Sequence, residues 1–302
     1  MIMQKQLLYD MKNIFSHSEG EIGFSGMIGI LMNALDEEFR HIALSIGAEE
    51  EYYPVLLQRK SLEKTGYLKR SPRHCLFCAN LYSEAEYVLS PSACFHVYEH
   101  YENCILSKMK VVTLRQNVFR EEGDSSWREY GRLRDYSIRE IVFIGNQKYV
   151  EKQRQIIMDK TKEFVEKLGM KYQFELATDA FMVPEMKKFQ KIQLLKKSKY
   201  ELLLPCREKG GLPVASFNLH ENAYTRPFHI GVRELEQTVT GCVGFGLERW
   251  VLAFTSQFGY EVEKWPVYMR KKLGVMEGDN GRRYSEADSE NLPGGYGREY
   301  RN

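Results

Sequence analysis

Residues 240–249 read TGCVGFGLER, an apolar, β-prone run that passes through Gly-Phe-Gly into a helix-forming sequence. The pattern predicts a strand near Thr238–Val243 that continues through Gly244, Phe245 and Gly246 into a helix over Leu247–Phe258. The two glycines permit close backbone approach. Arg249 falls in the first helical turn, where its guanidinium can reach anionic oxygens held at the junction. Taken alone, such a GxGxxR pattern is more often tight packing of a helix on a strand.

Upstream lies the segment that gives this junction a partner. Residues 110–122, KVVTLRQNVFREE, and 134–144, RDYSIREIVFI, read as two strands joined by the polar loop GDSSWREYGRL, a long antiparallel hairpin. Side chains alternate along a strand, so Arg120 and Glu122 share a face, as do Tyr136 and Glu140. A cation, a carboxylate and an aromatic ring on one sheet surface suit a phosphate, an exocyclic amine and a purine face. An Arg/Glu alternation by itself is usually a solvated strand face.

The remaining chain alternates helices and strands, and the fold class is α+β. Leu31, Leu35, Phe39, Ile42 and Ile46 repeat at three- and four-residue spacing over 26–46, with Gly47 as the stop. A strand-like stretch Tyr52–Leu57 leads to a short polar helix ending at Gly66. Asn146 caps a helix running to Gly169, with Val150, Ile157, Phe164 and Leu168 on one face. A strand Gln173–Ala177 precedes a lysine-rich helix from about Pro184 to Lys199, and strands follow at Tyr200–Pro205 and Leu212–Leu219. The expected domains are an N-terminal extension over 1–24, one folded domain over 25–276 and a disordered polar tail over 277–302.

Composition narrows the class of protein. The chain has 302 residues, 43% of them hydrophobic, enough for one large core. Mean hydropathy is −0.46 and no run is long enough to span a bilayer. The N-terminus resembles neither a signal nor a transit peptide. Lysine and arginine number 43 against 41 aspartate and glutamate, which gives no global polyanion-binding signature. Six cysteines are too few for a disulfide scaffold. The expectation is a cytoplasmic protein, with no membrane association and with reduced thiols available to a metal.

The hairpin followed by the strand–helix junction resembles motifs 2 and 3 of class II aminoacyl-tRNA synthetases, fRxE–loop–(R/H)xxxFxxx(D/E) and GxGxxR. Tyr136 stands where that pattern usually has Phe. The segments SACFHVY, RLRDYSIRE, ELATDAFM, KYELLLP, ASFNLHEN and TGCVGFGLER follow one another as in the amino acid:[carrier protein] ligases, truncated relatives of seryl-tRNA synthetases. The likeness covers roughly residues 25–260. It implies a class II catalytic domain, an antiparallel sheet flanked by helices.

The resemblance also implies the site. Arg120 would neutralise the α-phosphate of ATP, and Arg249 would hold the γ-phosphate while covering the adenine. Glu122 would accept from the adenine amine, Tyr136 would stack beneath the ring, and Arg132 would complete the nucleotide contacts. Mg²⁺ should accompany the triphosphate, with Glu201 the nearest candidate ligand. Cys94, Glu140 and Cys242 align with the family's zinc ligands. Two thiolates and a carboxylate suit Zn²⁺, and three protein ligands leave an open position for a substrate amine. Asp179, Asn218 and His220 match segments that line the amino-acid pocket, although a structural histidine satisfied by its neighbours is the alternative for His220. A rival metal trio would draw on His96 and His100 beside Cys94. The Cys75-x-x-Cys78 pair after His74 lacks the second pair a zinc module needs, and Cys104 and Cys206 read as core residues.

Between Met182 and Lys199 six lysines (187, 188, 191, 196, 197 and 199) face one glutamate, with Phe189, Ile192 and Leu195 expected inward. A charge run is usually a solvated face. The resembling family binds its acidic carrier protein with a helix in this region, so Lys187, Lys188 and Lys191 become candidate docking residues. A tRNA acceptor stem would satisfy the same charge. Only about 25 residues precede the first core helix and about 45 follow Phe258, too few for an added tRNA-reading module. The expectation is therefore activation of a small amino acid, glycine or alanine favoured, and its transfer to the phosphopantetheine thiol of an acidic carrier protein rather than to tRNA. A tRNA-dependent or tRNA-modifying synthetase relative and a catalytically silent regulatory paralogue are the alternatives. A homodimer is expected, formed through the region preceding Cys94.

Overall fold

The computed structural model describes residues 13–82, 84–121, 129–178, 187–206 and 211–275. Its centre is a sheet of seven strands among the described residues. In chain order they are β1 (Glu49–Glu50), β2 (Lys110–Phe119), β3 (Asp135–Gly145), β4 (Gln173–Leu176), β5 (Lys199–Pro205), β6 (Gly211–Glu221) and β7 (Val239–Gly246). They lie in the order β4-β5-β6-β7-β3-β2-β1. Every pairing is antiparallel except β1 on β2, which is parallel. The expected hairpin is present, with Val118 opposite Tyr136 and Leu114 opposite Glu140. The GFG step belongs to β7 rather than following it, because Gly244, Phe245 and Gly246 all pair with β3.

Three helices cover one face: α1 (Gly26–Ser45), α3 (Gln147–Lys167) and α5 (Leu247–Phe258); α2 (Cys94–His100) lies between α1 and α3 in the chain. Helix α1 buries Ile28, Leu31, Leu35, Asp36, Phe39 and Ala43, a stripe at helical spacing, and Gly47 ends it at φ 81°. Phe39 stacks on Phe245 of β7 at 4.2 Å between ring centroids and packs against Trp250 of α5 at 4.8 Å. Truncating a buried ring of this kind costs about 3–5 kcal/mol. Helix α3 starts where predicted, with Asn146 Oδ1 accepting the Tyr149 N–H at 2.9 Å.

Buried charge ties α1 to the sheet. Asp36 accepts from Arg139 on β3, whose guanidinium also reaches Glu50 on β1 at 2.8 Å. Burial works against the Arg139 charge, and the Asp36 and Glu50 carboxylates beside it more than offset that.

Four local expectations change. The stretch Tyr52–Leu57 is strand only over Leu56–Gln58. The lysine-rich helix, α4, covers Lys187–Leu195 among the described residues. Lys196 and Lys197 lie in the turn after it and Lys199 opens β5, so the lysine excess is not confined to one helix. Ile192 and Leu195 are also not inward: both are exposed, Leu195 at 84%. Cys206 is buried as expected, but Cys104 is only half-buried. Of the expected extension over 1–24, residues 14–18 and 21–24 pair as an antiparallel hairpin; residues 1–12 and the expected tail over 277–302 lie outside the described residues.

Candidate metal centre and nucleotide site

The sheet's other face carries the site. Directly opposed residues on paired strands project to the same side. Glu140 of β3 opposes Gly244 of β7, Gly244 opposes Ser216 of β6, and Ser216 opposes Glu201 of β5. Phe245, one residue on from Gly244, points into the helical core. Two residues before Gly244, Cys242 therefore shares the face of Glu140 and opposes Asn218. Cys94 reaches the same spot from the start of α2.

Cys94, Glu140 and Cys242 are all buried, and their ligand atoms lie within 4.8 Å of one another. Gly244 makes room for this arrangement. A Cβ there would lie 2.8 Å from Glu140 Oε2, so the carboxylate occupies the space a side chain would fill. Burial pushes the Glu140 carboxyl up to about 7, against the opposing influence of a Cys242 hydrogen bond and the Arg120 charge. The Cys242 thiol is pushed well up, first by its hydrogen bond with Cys94, then by burial and by Glu140. Glu140 and Cys242 both resist ionising in this dry pocket, and a divalent cation removes that conflict. Two sulfurs and one oxygen are a donor set for zinc rather than for magnesium or calcium. The three residues fit Zn²⁺.

The rival trio does not form among the described residues. His96 turns to Tyr53, and its buried Nε2 has no hydrogen-bond partner. His100 packs against Tyr53 and Tyr101.

The nucleotide residues converge beside the cluster. Arg120, immediately after β2, donates from Nε to the Pro91 carbonyl at 2.8 Å and lies 6.0 Å from the Tyr136 ring. Arg249 lies 5.7 Å from the same ring. Two backbone carbonyls aim it: Nε donates to Gly131 at 2.8 Å and Nη1 to Pro213 at 3.1 Å. The Arg249–Tyr136 contact is itself of cation–π length.

Other expected residues sit further out. Arg132 pairs with Glu129 at 3.1 Å on the hairpin's exposed end. Glu201 is on the site face but three strands from Glu140, about 14 Å at the usual spacing, and pairs with Lys199 at 3.2 Å. Asn218 and His220 border Cys242, each with a nitrogen 3.6 Å from its sulfur. Glu122 and Asp179 lie outside the described residues. Lys191 is exposed on α4; the placement of the Lys187 and Lys188 side chains also lies outside the description.

Sequence reasoning missed two residues. Tyr98 lies one helical turn after Cys94 on α2, fully buried, with its hydroxyl 3.2 Å from His220 Nδ1. Its i, i+4 spacing from Cys94 was the available signal. Glu248 precedes Arg249 in the GLER sequence, and no spacing marks it out. Its buried carboxylate accepts the Ser137 N–H with both oxygens.

Solved structures share this architecture. The seryl-tRNA synthetase of M. kandleri, solved with A. aeolicus tRNASec, superposes with a TM-score of 0.71 at 19% identity over 86% of this chain and 58% of its own. The seryl-tRNA synthetase of Pyrococcus horikoshii, complexed with ATP, gives 0.65 at 14% identity over 85% and 58%. The fold is that of a class II aminoacyl-tRNA synthetase catalytic domain. No family model matches the sequence. The Type-2 serine–tRNA ligase of Methanocaldococcus jannaschii is 25% identical over 291 residues, 84% of this chain but 56% of that protein, so the chain spans about half the length of that relative. The amino acid–[acyl-carrier-protein] ligase 1 of Bradyrhizobium diazoefficiens is 30% identical over 261 residues, 76% of this chain and 78% of that protein. The chain belongs to the amino acid–[acyl-carrier-protein] ligase family of class II synthetase-like proteins. Among the described residues no helix is long and apolar enough to cross a membrane.

Proposed function

We propose that the protein activates a small amino acid with ATP and passes it to the phosphopantetheine thiol of an acidic carrier protein. The observation that carries this reading is the buried Cys94–Glu140–Cys242 cluster set beside Arg120, Tyr136 and Arg249 on one sheet face. Zn²⁺ held by Cys94, Glu140 and Cys242 would supply a Lewis-acid position for a free amine.

The chain's own groups account for the rest. Tyr136 offers a ring for the adenine, and Arg249, fixed by the carbonyls of Gly131 and Pro213, covers it and meets the γ-phosphate. Arg120 lies 6.0 Å from the ring and within electrostatic reach of Glu140, and it meets the charge that builds on the α-phosphate as the amino-acid carboxylate attacks in line. Pyrophosphate leaves and the aminoacyl adenylate remains. Such a step is accelerated by positioning and by charge stabilisation from groups already aimed. Glu122, Arg132 and Asp179 complete the proposed contacts to nucleotide and amino acid, and Glu201 is the proposed ligand of Mg²⁺ with the triphosphate.

Support for the acceptor comes from the B. diazoefficiens ligases, which match this chain over three quarters of their own lengths. The exposed α4, carrying Lys187, Lys188 and Lys191, is the proposed docking surface. The serine–tRNA ligases favour tRNA as the second reading. Amino-acid-dependent ATP–pyrophosphate exchange tests activation; absence of exchange with all twenty amino acids overturns it. Presenting a holo carrier protein and tRNA separately to the activated enzyme decides the acceptor. Charge reversal at Lys187, Lys188 and Lys191 should slow transfer to carrier protein and leave exchange intact.

A further inference from the structure

His220 occupies an irregularity in the sheet. Strand β6 follows β7 in register through Asn218↔Cys242 and Leu219↔Gly241, but Thr240 then opposes Glu221, so His220 is an extra residue. Glu221 beside it adopts φ 52°, the left-handed region that non-glycine residues seldom occupy. A bulge bends its strand and re-aims a side chain, and bulges gather next to functional sites. Here the re-aimed side chain is an imidazole turned onto the thiol cluster.

Its two nitrogens meet different chemistry. Nε2 lies 3.6 Å from Cys242 Sγ. Nδ1 lies 3.2 Å from the Tyr98 hydroxyl and 3.3 Å from the Thr240 hydroxyl. The ring packs edge-on to Tyr224 at 4.9 Å between centroids. A thiolate sulfur can only accept, whereas a hydroxyl can donate. The arrangement is satisfied when the proton sits on Nε2 and a hydroxyl donates to Nδ1. Asn218 Nδ2, also 3.6 Å from the same sulfur, is a second donor. Cys94 is treated differently, with the Ser92 hydroxyl 3.2 Å from its sulfur.

We propose that His220 is a positioning residue of the metal centre: its Nε2–H donates to Cys242 Sγ, orients that ligand and disperses thiolate charge, while the Tyr98 and Thr240 hydroxyls fix the tautomer through Nδ1. Outer partners of this kind govern ligand orientation and the electron density a ligand gives its metal. The proposal rests on the reading of Cys94, Glu140 and Cys242 as zinc ligands.

The test compares the wild type with His220→Phe, which keeps a ring but no donor, and His220→Gln, which keeps an N–H. Zinc affinity is measured by competition with a chromogenic chelator, and the sulfur-to-metal charge-transfer band is recorded on the Co²⁺-loaded proteins. His220→Phe should weaken zinc binding about 10- to 100-fold and shift the band, with His220→Gln recovering most of both. Nitrogen NMR of the wild type should show the His220 proton on Nε2, a readout that needs no variant to fold. Wild-type affinity and band position in a folded His220→Phe, or a wild-type ring protonated on Nδ1 alone, overturns the proposal while leaving the zinc ligands standing. A wild-type chain that binds no zinc overturns the metal reading itself, and this proposal with it.

Discussion

Both carboxylate oxygens of Glu248 accept the backbone N–H of Ser137, each at 2.9 Å. Ser137 lies one residue beyond Ile138, the last β3 residue that β7 pairs with, so the side chain supplies an acceptor where the ladder ends. The link joins the hairpin carrying Tyr136 to the helix carrying Arg249.

Burial raises the Glu248 carboxyl to about 7, with the nearby Asp135 charge adding to it and the Ser137 hydrogen bonds opposing. The folded value lies above the unfolded one, so its contribution to stability is fully present below about pH 4.5 and is lost as pH rises through 7. The loss approaches roughly 3 kcal/mol by pH 8. The urea midpoint should therefore fall between pH 5 and 8, and Glu248→Gln, which keeps an acceptor, should flatten that fall. Glu140 titrates over the same window in metal-free protein, so some dependence remains. An unchanged slope in Glu248→Gln would refute the assignment.

Arg249 is aimed at two carbonyls by two separate nitrogens, Nε and Nη1, where a lysine has one. Arg249→Lys and Arg249→Ala should both lower ATP–pyrophosphate exchange by about 10²–10³-fold, as loss of one aimed charge-stabilising group does elsewhere. Retained exchange in Arg249→Lys would show that charge alone suffices.

The ligands of the thiol cluster stand on β3, β7 and the first turn of α2, all packed into the core. Removing zinc with a chelator should abolish exchange and leave the far-ultraviolet circular dichroism unchanged, with activity restored by added Zn²⁺. Glu140→Gln should lower the zinc content measured by elemental analysis. Collapse of the dichroism on chelation would instead mark a structural metal.

Asp36 and Arg139 share two short hydrogen bonds in the core. Asp36→Leu removes both of these bonds and leaves Arg139 with Glu50 at 2.8 Å, so it should cost about 1.5–3 kcal/mol in denaturant unfolding. Asp36→Leu with Arg139→Met should recover much of that loss. Additive losses in the double variant would show that the pair does not act as a unit.

What the sequence determined by itself was local: the α1 stripe, the Asn146 cap, the hairpin and the strand running into the Arg249 helix. Each follows from periodicity or capping chemistry within a few residues. The family pattern then singled out Cys94, Glu140 and Cys242, which no local spacing connects. Only the tertiary structure decided how they meet, because the register of β7 on β3 sets Gly244 beneath the Glu140 carboxylate and brings Cys242 to the same face. The same is true of His220, whose aim depends on a one-residue bulge, and of Ile192 and Leu195, which look inward by period but face solvent. Side-chain direction along a strand or helix is written in the chain. Which surface stands opposite is settled only by pairing and packing across long separations.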